Sequence, residues 1–379
     1  MRVEVRPELL DWARERAGLS VEAVVQRLPK FAQWERLEAR PTLRQLEQFA
    51  KLTHTPVGYL FLPERPVEVL PIPDFRTVSD GGVGRPSPDL LDTVYTCQQR
   101  QEWFRDYARS EGQEAVAVVG QATMDSNIEA TAARMRATLG FDLAERRMMP
   151  TWTDALRRFI EQAEGQGVLV MVNGVVGNNN RRKLNPNEFR GFALVDDLAP
   201  LIFINGADTK NGQMFTVAHE LAHIWLGQSA LSDATAATVP AHRVERWCNQ
   251  VAAELLVPLT AIRDEVRRGN NPAEECNRLA RVFKVSSLVI LRRMHDAGAL
   301  GRDEMWSAYE TELARLRAIP KGSGGDFYLT QGARVSKRFA RALVSSTLEG
   351  QTLYRDAFRL LGFSKLETFR ELGKNLGTA

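Results

Sequence analysis

At 379 residues, with 44% apolar and 26% charged side chains, the chain is long enough for two or three domains that each bury a core. Its net charge of +3 is too small for a general nucleic-acid or membrane binder, and no window approaches the length of a membrane-spanning helix. Cys97, Cys248 and Cys276 are odd in number and far apart, and the opening Met-Arg-Val-Glu-Val-Arg has no apolar run behind it; a reducing cytoplasm is the expected location.

Residues 1–63 read as closely spaced short helices. Pro7–Ala17 is amphipathic, with Leu9, Leu10, Trp12 and Ala13 as its apolar stripe, and Gly18 ends it. Ser20 and Glu22 offer a start for a helix over Val21–Leu28. Trp34-Glu35, the turn Arg40-Pro41-Thr42, a helix over Leu43–Leu52 and the run Thr55–Phe61 follow. The elements Gly18-Leu19-Ser20, Trp34-Glu35, Pro41-Thr42-Leu43 and Tyr59-Leu60-Phe61 together resemble the five-helix helix-turn-helix domain of the Xre/Cro repressors. Only Pro29–Gln33 lies between Leu28 and Trp34, where those repressors usually carry the helix that enters the major groove, and Pro29 interrupts helix there. DNA stays open as a partner, but a domain kept for dimerisation or partner docking is the favoured expectation.

Residues 64–124 form a linker and a connecting helix. Pro63, Pro66, Pro71, Pro73, Pro86 and Pro88, with Gly81-Gly82 among them, predict an extended connection. Pro71–Arg76 is too apolar for a free tether and is expected to pack on the following domain. A long helix over Pro88–Ser110 then presents Leu90, Leu91, Val94, Cys97 and Trp103, with Cys97 read as a small buried hydrophobe.

Within residues 125–318, Ile128–Leu139 and Thr151–Ala163 carry helical patterns closed by glycine. Gly167–Asn173 reads as a strand, Gly177–Asn187 as a polar loop, and Phe189–Val195 and Pro200–Asn205 as two strands joined by a turn at Asp196-Asp197. A helix over Thr209–Gly227 follows directly. His219 and His223 stand four residues apart on it, which sets both imidazoles on one face where they can grip a single Zn²⁺. Glu220 lies about 100° round the same turn, placed to work on water rather than to bind the ion. Two satisfied core histidines would share this spacing, but the chain has only five histidines and two fall on this helix, apolar on both flanks. Zn²⁺ is therefore the expected cofactor. A helix over Ala241–Leu256 offers a third ligand among His242, Glu245 and Glu254. Glu254 is nine residues on from Glu245 and points the opposite way; Glu245 is the expected ligand and His242 the reserve. Cys248 is read as a packed thiol rather than a group that blocks the metal.

Phe215-Thr-Val-Ala-His-Glu-Leu-Ala-His223, followed by Glu245-x-x-x-Asn249-x-x-Ala-Ala-Glu-Leu-Leu-Val-Pro258, resembles the ImmA/IrrE family of zinc metallopeptidases over about residues 125–300. The resemblance implies an α+β, zincin-like minimal peptidase, a small sheet plus active-site helices, that cuts a partner protein, often a DNA-binding repressor. By carry-over, His219, His223 and Glu245 hold zinc and Glu220 is the base, a gluzincin-like arrangement. Substrate is expected to lie extended along a sheet edge, with the strand at 189–195 the candidate. His242 and Asn249 are the candidates for steadying the oxyanion.

Helices near Thr260–Arg268, Pro272–Phe283 and Ser286–His295 follow. In residues 319–379, Pro320–Gly325 reads as a flexible break. Beyond it Arg334, Lys337, Arg338, Arg341, Arg355, Arg359, Lys365, Arg370 and Lys374 accompany Phe339, Leu343, Leu348, Leu353, Phe358 and Leu361 at helical spacings. That suits a helical cap with a solvated basic face, or a docking module for an acidic partner such as an operon-encoded toxin, or for nucleic acid. The competing functional expectation is a transcriptional regulator or antitoxin-like binding protein, in which the peptidase fold and basic tail recognise a partner without cutting it.

Overall fold

Helix-start signals in the first seventy residues are local and are used. Thr42 and Gln45 form a reciprocal capping box, and the Ser20 side chain accepts from the Ala23 amide. The computed structural model describes residues 2–75, 86–232, 242–267, 269–318 and 334–378. Gly81-Gly82, the Pro320–Gly325 break and the first residue of the expected 241–256 helix lie outside the described residues. The chain divides into two units, Met1–Pro71 with Gly84–Val94 and Ile72–Val83 with Tyr95–Ala379.

The first unit has α-helices at Pro7–Arg16, Val21–Val25, Phe31–Glu35 and Leu43–Leu52 and a 3-10 turn at Val57–Phe61. Leu10, Trp12, Phe31, Trp34, Phe49 and Leu60 lie in its core. The second helix stops at Val25 instead of reaching Leu28, because Pro29 drives the residue before it out of the helical region. Phe31–Glu35 makes little more than one turn, and both its aromatic residues are buried. That short helix serves the core.

The second unit holds a mixed sheet. Its strands are β1 (Leu169–Asn173), β4 (Gly191–Leu194), β5 (Leu201–Asn205) and β6 (Ala230–Ser232), with β2 (Val175–Val176) and β3 (Asn179–Lys183) forming a separate hairpin. The order is β1-β5-β4-β6; β1 pairs parallel to β5 and the other pairs are antiparallel. Asp196 accepts from the Leu198 and Ala199 amides and so closes the β4–β5 turn. Part of the expected polar loop at 177–187 is instead the β2–β3 ladder, turned by Gly177 at φ 55°. β6 was not expected at all, since three residues are too few to show a period. It makes β4 an interior strand, so the edge expected at 189–195 is not an edge.

Behind the sheet runs the Lys210–Leu226 helix, capped by the Thr209 side chain and ended by Gly227 at φ 67°. It is buried from Gln213 to Leu226 and packs on β4, β5 and the Arg243–Leu256 helix. Further helices span Pro88–Ser110, Ile128–Leu139, Trp152–Gly165, Leu259–Glu265, Pro272–Phe283 and Ser287–Asp296. Leu143–Met148 and Arg302–Ala318 are helices that the sequence reading missed. Three helices, Lys337–Leu348, Tyr354–Leu361 and Leu366–Leu376, complete the unit. The buried Arg100 donates to the Leu360 carbonyl at 2.9 Å and Asn178 donates to the Gly362 carbonyl at 2.7 Å, tying these helices to the rest. Leu348 and Leu353, expected on the apolar face of the tail, are 49% and 63% exposed because they stand at the two ends of the loop between the first two of these helices.

Candidate metal centre

The Lys210–Leu226 and Arg243–Leu256 helices bring three side chains to one point. His219 Nε2 lies 3.1 Å from Glu245 Oε2, His223 Nε2 lies 3.0 Å from Glu245 Oε1, and the two Nε2 atoms are 3.1 Å apart. Ligand atoms of all three residues fall within 4.8 Å of one another. The histidines are 0% and Glu245 is 2% exposed.

Tautomers follow from the neighbours. His219 Nδ1 is 2.9 Å from the Asn249 side-chain oxygen, which only accepts, so Nδ1 carries a hydrogen and Nε2 is the nitrogen left to face Glu245. Glu245 Oε1 and His223 Nδ1 have no hydrogen bond of sound geometry among the described residues. The short approach of Oε1 to His223 is thus a crowding of polar atoms rather than a hydrogen bond. Buried lone pairs aimed at one another are unfavourable unless a proton or a cation sits among them. Two imidazole nitrogens and a carboxylate form a donor set that suits Zn²⁺.

Charge within the cluster is coupled. Burial disfavours a protonated His219, but the Glu245 carboxylate beside it prevails and raises its pKa. Burial lowers the pKa of His223. Burial also opposes ionisation of Glu245, yet the two imidazoles hold its carboxyl well below the usual carboxylate range. A cation that binds here takes the place of a proton.

Glu220 sits beside the cluster in a different setting. Burial, only partly offset by His219 and Ser232, pushes its carboxyl up to about 8. Its Oε1 accepts from the Ser232 hydroxyl, while Oε2 has no hydrogen-bond partner among the described residues. Strand β4 closes over this group only because residue 191 is glycine. A Cβ there would lie 2.6 Å from Thr216 Cγ2 and 2.9 Å from both Glu220 Oε1 and the Phe203 carbonyl.

The other candidates are sorted by the same geometry. Glu254 faces away: it accepts from the Leu259 amide and pairs with Arg293. His242 is exposed at the start of the Arg243–Leu256 helix, outside the cluster, with its ring stacked on Phe75. Asn249 orients His219, so its side-chain oxygen is committed to that ring. Cys248 is fully buried, and burial together with the nearby carboxylates raises its thiol well above the ordinary value. Ser232 and Gly191 were missed. A glycine in a run of buried strand residues was the only sequence signal for the second, and the first had none.

Residues 163–295 match the family model of peptidase M78, described as the IrrE N-terminal-like domain, and residues 335–375 match a domain of unknown function (DUF8813). No curated protein and no solved structure matches the chain. The first match takes in the sheet and both helices of the cluster, supports the ImmA/IrrE resemblance over that stretch, and points to a metallopeptidase-type enzyme. Residues 1–63 lie outside both matches, and the helix-turn-helix resemblance rests on its own motifs.

Proposed function

We propose that the chain is a zinc-dependent endopeptidase of narrow specificity that cuts a regulatory partner protein, a DNA-binding repressor or an operon-encoded toxin-system component. The observation that carries this reading is the meeting of His219, His223 and Glu245 ligand atoms beside a Glu220 whose Oε2 is unengaged. His219, His223 and Glu245 would hold the ion, with Asn249 fixing the His219 tautomer. Bound zinc supplies a Lewis acid and a water whose pKa lies near ~7.

Glu220 then does the proton work. Its Oε2 takes the proton of the water that attacks a peptide carbonyl and passes it to the departing amine. Ser232 occupies Oε1, so Oε2 is the oxygen presented. Burial by itself keeps Glu220 protonated up to about 8, and a nearby cation lowers that and frees the base at neutral pH. With His219, Glu220 and His223 at 0% exposure, a substrate reaches the cluster only where the chain opens for it, which favours narrow specificity.

Metal analysis of the purified chain should give about one zinc, lost in His223→Ala. Co-expression with the proteins of the neighbouring operon genes should show one of them shortened, and Glu220→Gln should abolish the cut while leaving zinc bound. Zinc without cleavage of any neighbour sinks the peptidase reading and favours recognition without cutting.

A further inference from the structure

The sheet does not end at β6. Leu231 donates its backbone N–H to the Pro73 carbonyl at 2.9 Å and accepts from the Phe75 N–H at 3.0 Å, a parallel bridge centred on Asp74. The neighbouring residue of β6, Ser232, is the one that holds Glu220. On its other side the segment meets His242: the Phe75 and His242 rings are stacked with centroids 4.0 Å apart and planes 18° apart. His242 immediately precedes the helix that carries Glu245. Ile72, just before the segment, is buried. Three residues thus run from the strand that supports the base to the helix that supplies a metal ligand.

This is the manner in which an added strand docks. Main-chain hydrogen bonds provide the hold and a side chain in a receptive place provides the choice. The resident strand is limited by its own sequence. Pro71 and Pro73 have no N–H, so the ladder cannot extend toward the N-terminus, and a parallel pairing is slightly weaker per residue than an antiparallel one. At Leu231 a competing strand meets the same N–H and C=O that the resident holds, so its advantage has to come from an aromatic side chain seated on the His242 ring.

We propose that the outer edge of β6, with the His242 ring beside it, is a docking edge for an extended polypeptide that presents an aromatic side chain, and that Pro73–Phe75 is its resident occupant, displaced when such a polypeptide binds. The proposal deepens the peptidase reading, on which it rests for the fate of the bound strand; docking itself needs neither zinc nor cleavage.

The test uses the full chain with Glu220→Gln, so that binding is read without turnover. The probe is a fluorescein-labelled, amidated peptide with the sequence of residues 66–75 of this chain. It should bind at least ~10-fold more tightly when Phe75→Pro is added, because the edge is then no longer shared with its resident. A probe with alanine in place of the phenylalanine should lose that gain, and so should a chain that also carries His242→Ala. Equal affinity for parent and Phe75→Pro chains, or indifference to His242→Ala, overturns the proposal. Should Phe75→Pro fail to fold, Phe75→Ala takes its place with amide hydrogen exchange at Leu231 as the readout. Protection should fall in that variant and return on adding the peptide; unchanged protection overturns the docking edge. Peptide docking without cleavage of any partner by the Glu220-intact chain would leave the edge standing and remove the peptidase reading. Partner cleavage indifferent to both Phe75→Ala and His242→Ala would do the reverse.

Discussion

Glu220 is a carboxyl group whose behaviour is set almost wholly by what surrounds it. In the unfolded chain it titrates near ~4.3, whereas in the fold burial pushes it up to about 8. Between those values the folded protein keeps a proton that the unfolded chain has lost, so this residue's contribution to stability is full below about pH 4 and falls away as pH rises toward 8. In chelator-treated protein, Glu220→Gln should therefore melt above the parent at pH 8 and much closer to it at about pH 5, a gap on the order of 1–3 kcal/mol. Thermal melts of both chains across that range check it, and a gap that fails to widen with pH counts against the burial argument. The His219–Glu220–His223 trio was legible because a helix fixes angular position from spacing alone. Ser232 and Gly191 were not, because they reach Glu220 from strands whose partners only the tertiary fold decides.

The Arg243–Leu256 helix shows how one element serves two places. Its first turn sends Glu245 to the cluster, and nine residues later Glu254 faces the opposite way, as a turn of 100° per residue requires. There Glu254 accepts from the Leu259 amide and pairs with the buried Arg293, whose Nε donates to the Val257 carbonyl at 2.8 Å. Glu254→Leu would take from the buried Arg293 its buried carboxylate, leaving Asp296 at 3.3 Å as its remaining acidic partner, and should cost about 3 kcal/mol in denaturant melts. Adding Arg293→Met should recover much of that, and a single-variant loss below about 1 kcal/mol would contradict the pairing. Helices with caps and long apolar stripes were read close to their true ends: Pro88–Ser110 and Pro272–Phe283 fall where expected. Leu143–Met148 and β6 were too short to show a period, whereas β1, β4 and β5, also short, were legible as apolar runs between turn residues, and the longer Arg302–Ala318 helix was missed.

At the scale of the second unit, the C-terminal helices are a structural part rather than a loose basic tail. Arg100 is buried and its Nε is met by the Leu360 carbonyl, while Trp103 and Phe104 pack their rings against Phe339. Several of the basic side chains are engaged locally: Lys337 with Glu161, Arg334 with Asn178, and Arg341 with the Leu376 carbonyl. A chain ending at residue 333 would lose the acceptor for Arg100 and uncover those rings, and its melting temperature should fall by roughly 5 °C or more. Scanning calorimetry of the truncated chain checks this, and an unchanged transition would mean that the helices are an ornament on the peptidase region. The tail's helical spacing was visible in sequence, but an amphipathic pattern states that a face is covered and not what covers it.

The burial of the cluster has a consequence in time rather than in energy. An ion held by His219, His223 and Glu245, behind side chains that are 0–2% exposed, cannot exchange faster than the surrounding chain opens. Its residence is then governed by the kinetics of that opening, and the occupancy of an isolated sample records the conditions under which the chain folded more than those of the tube in which it is kept.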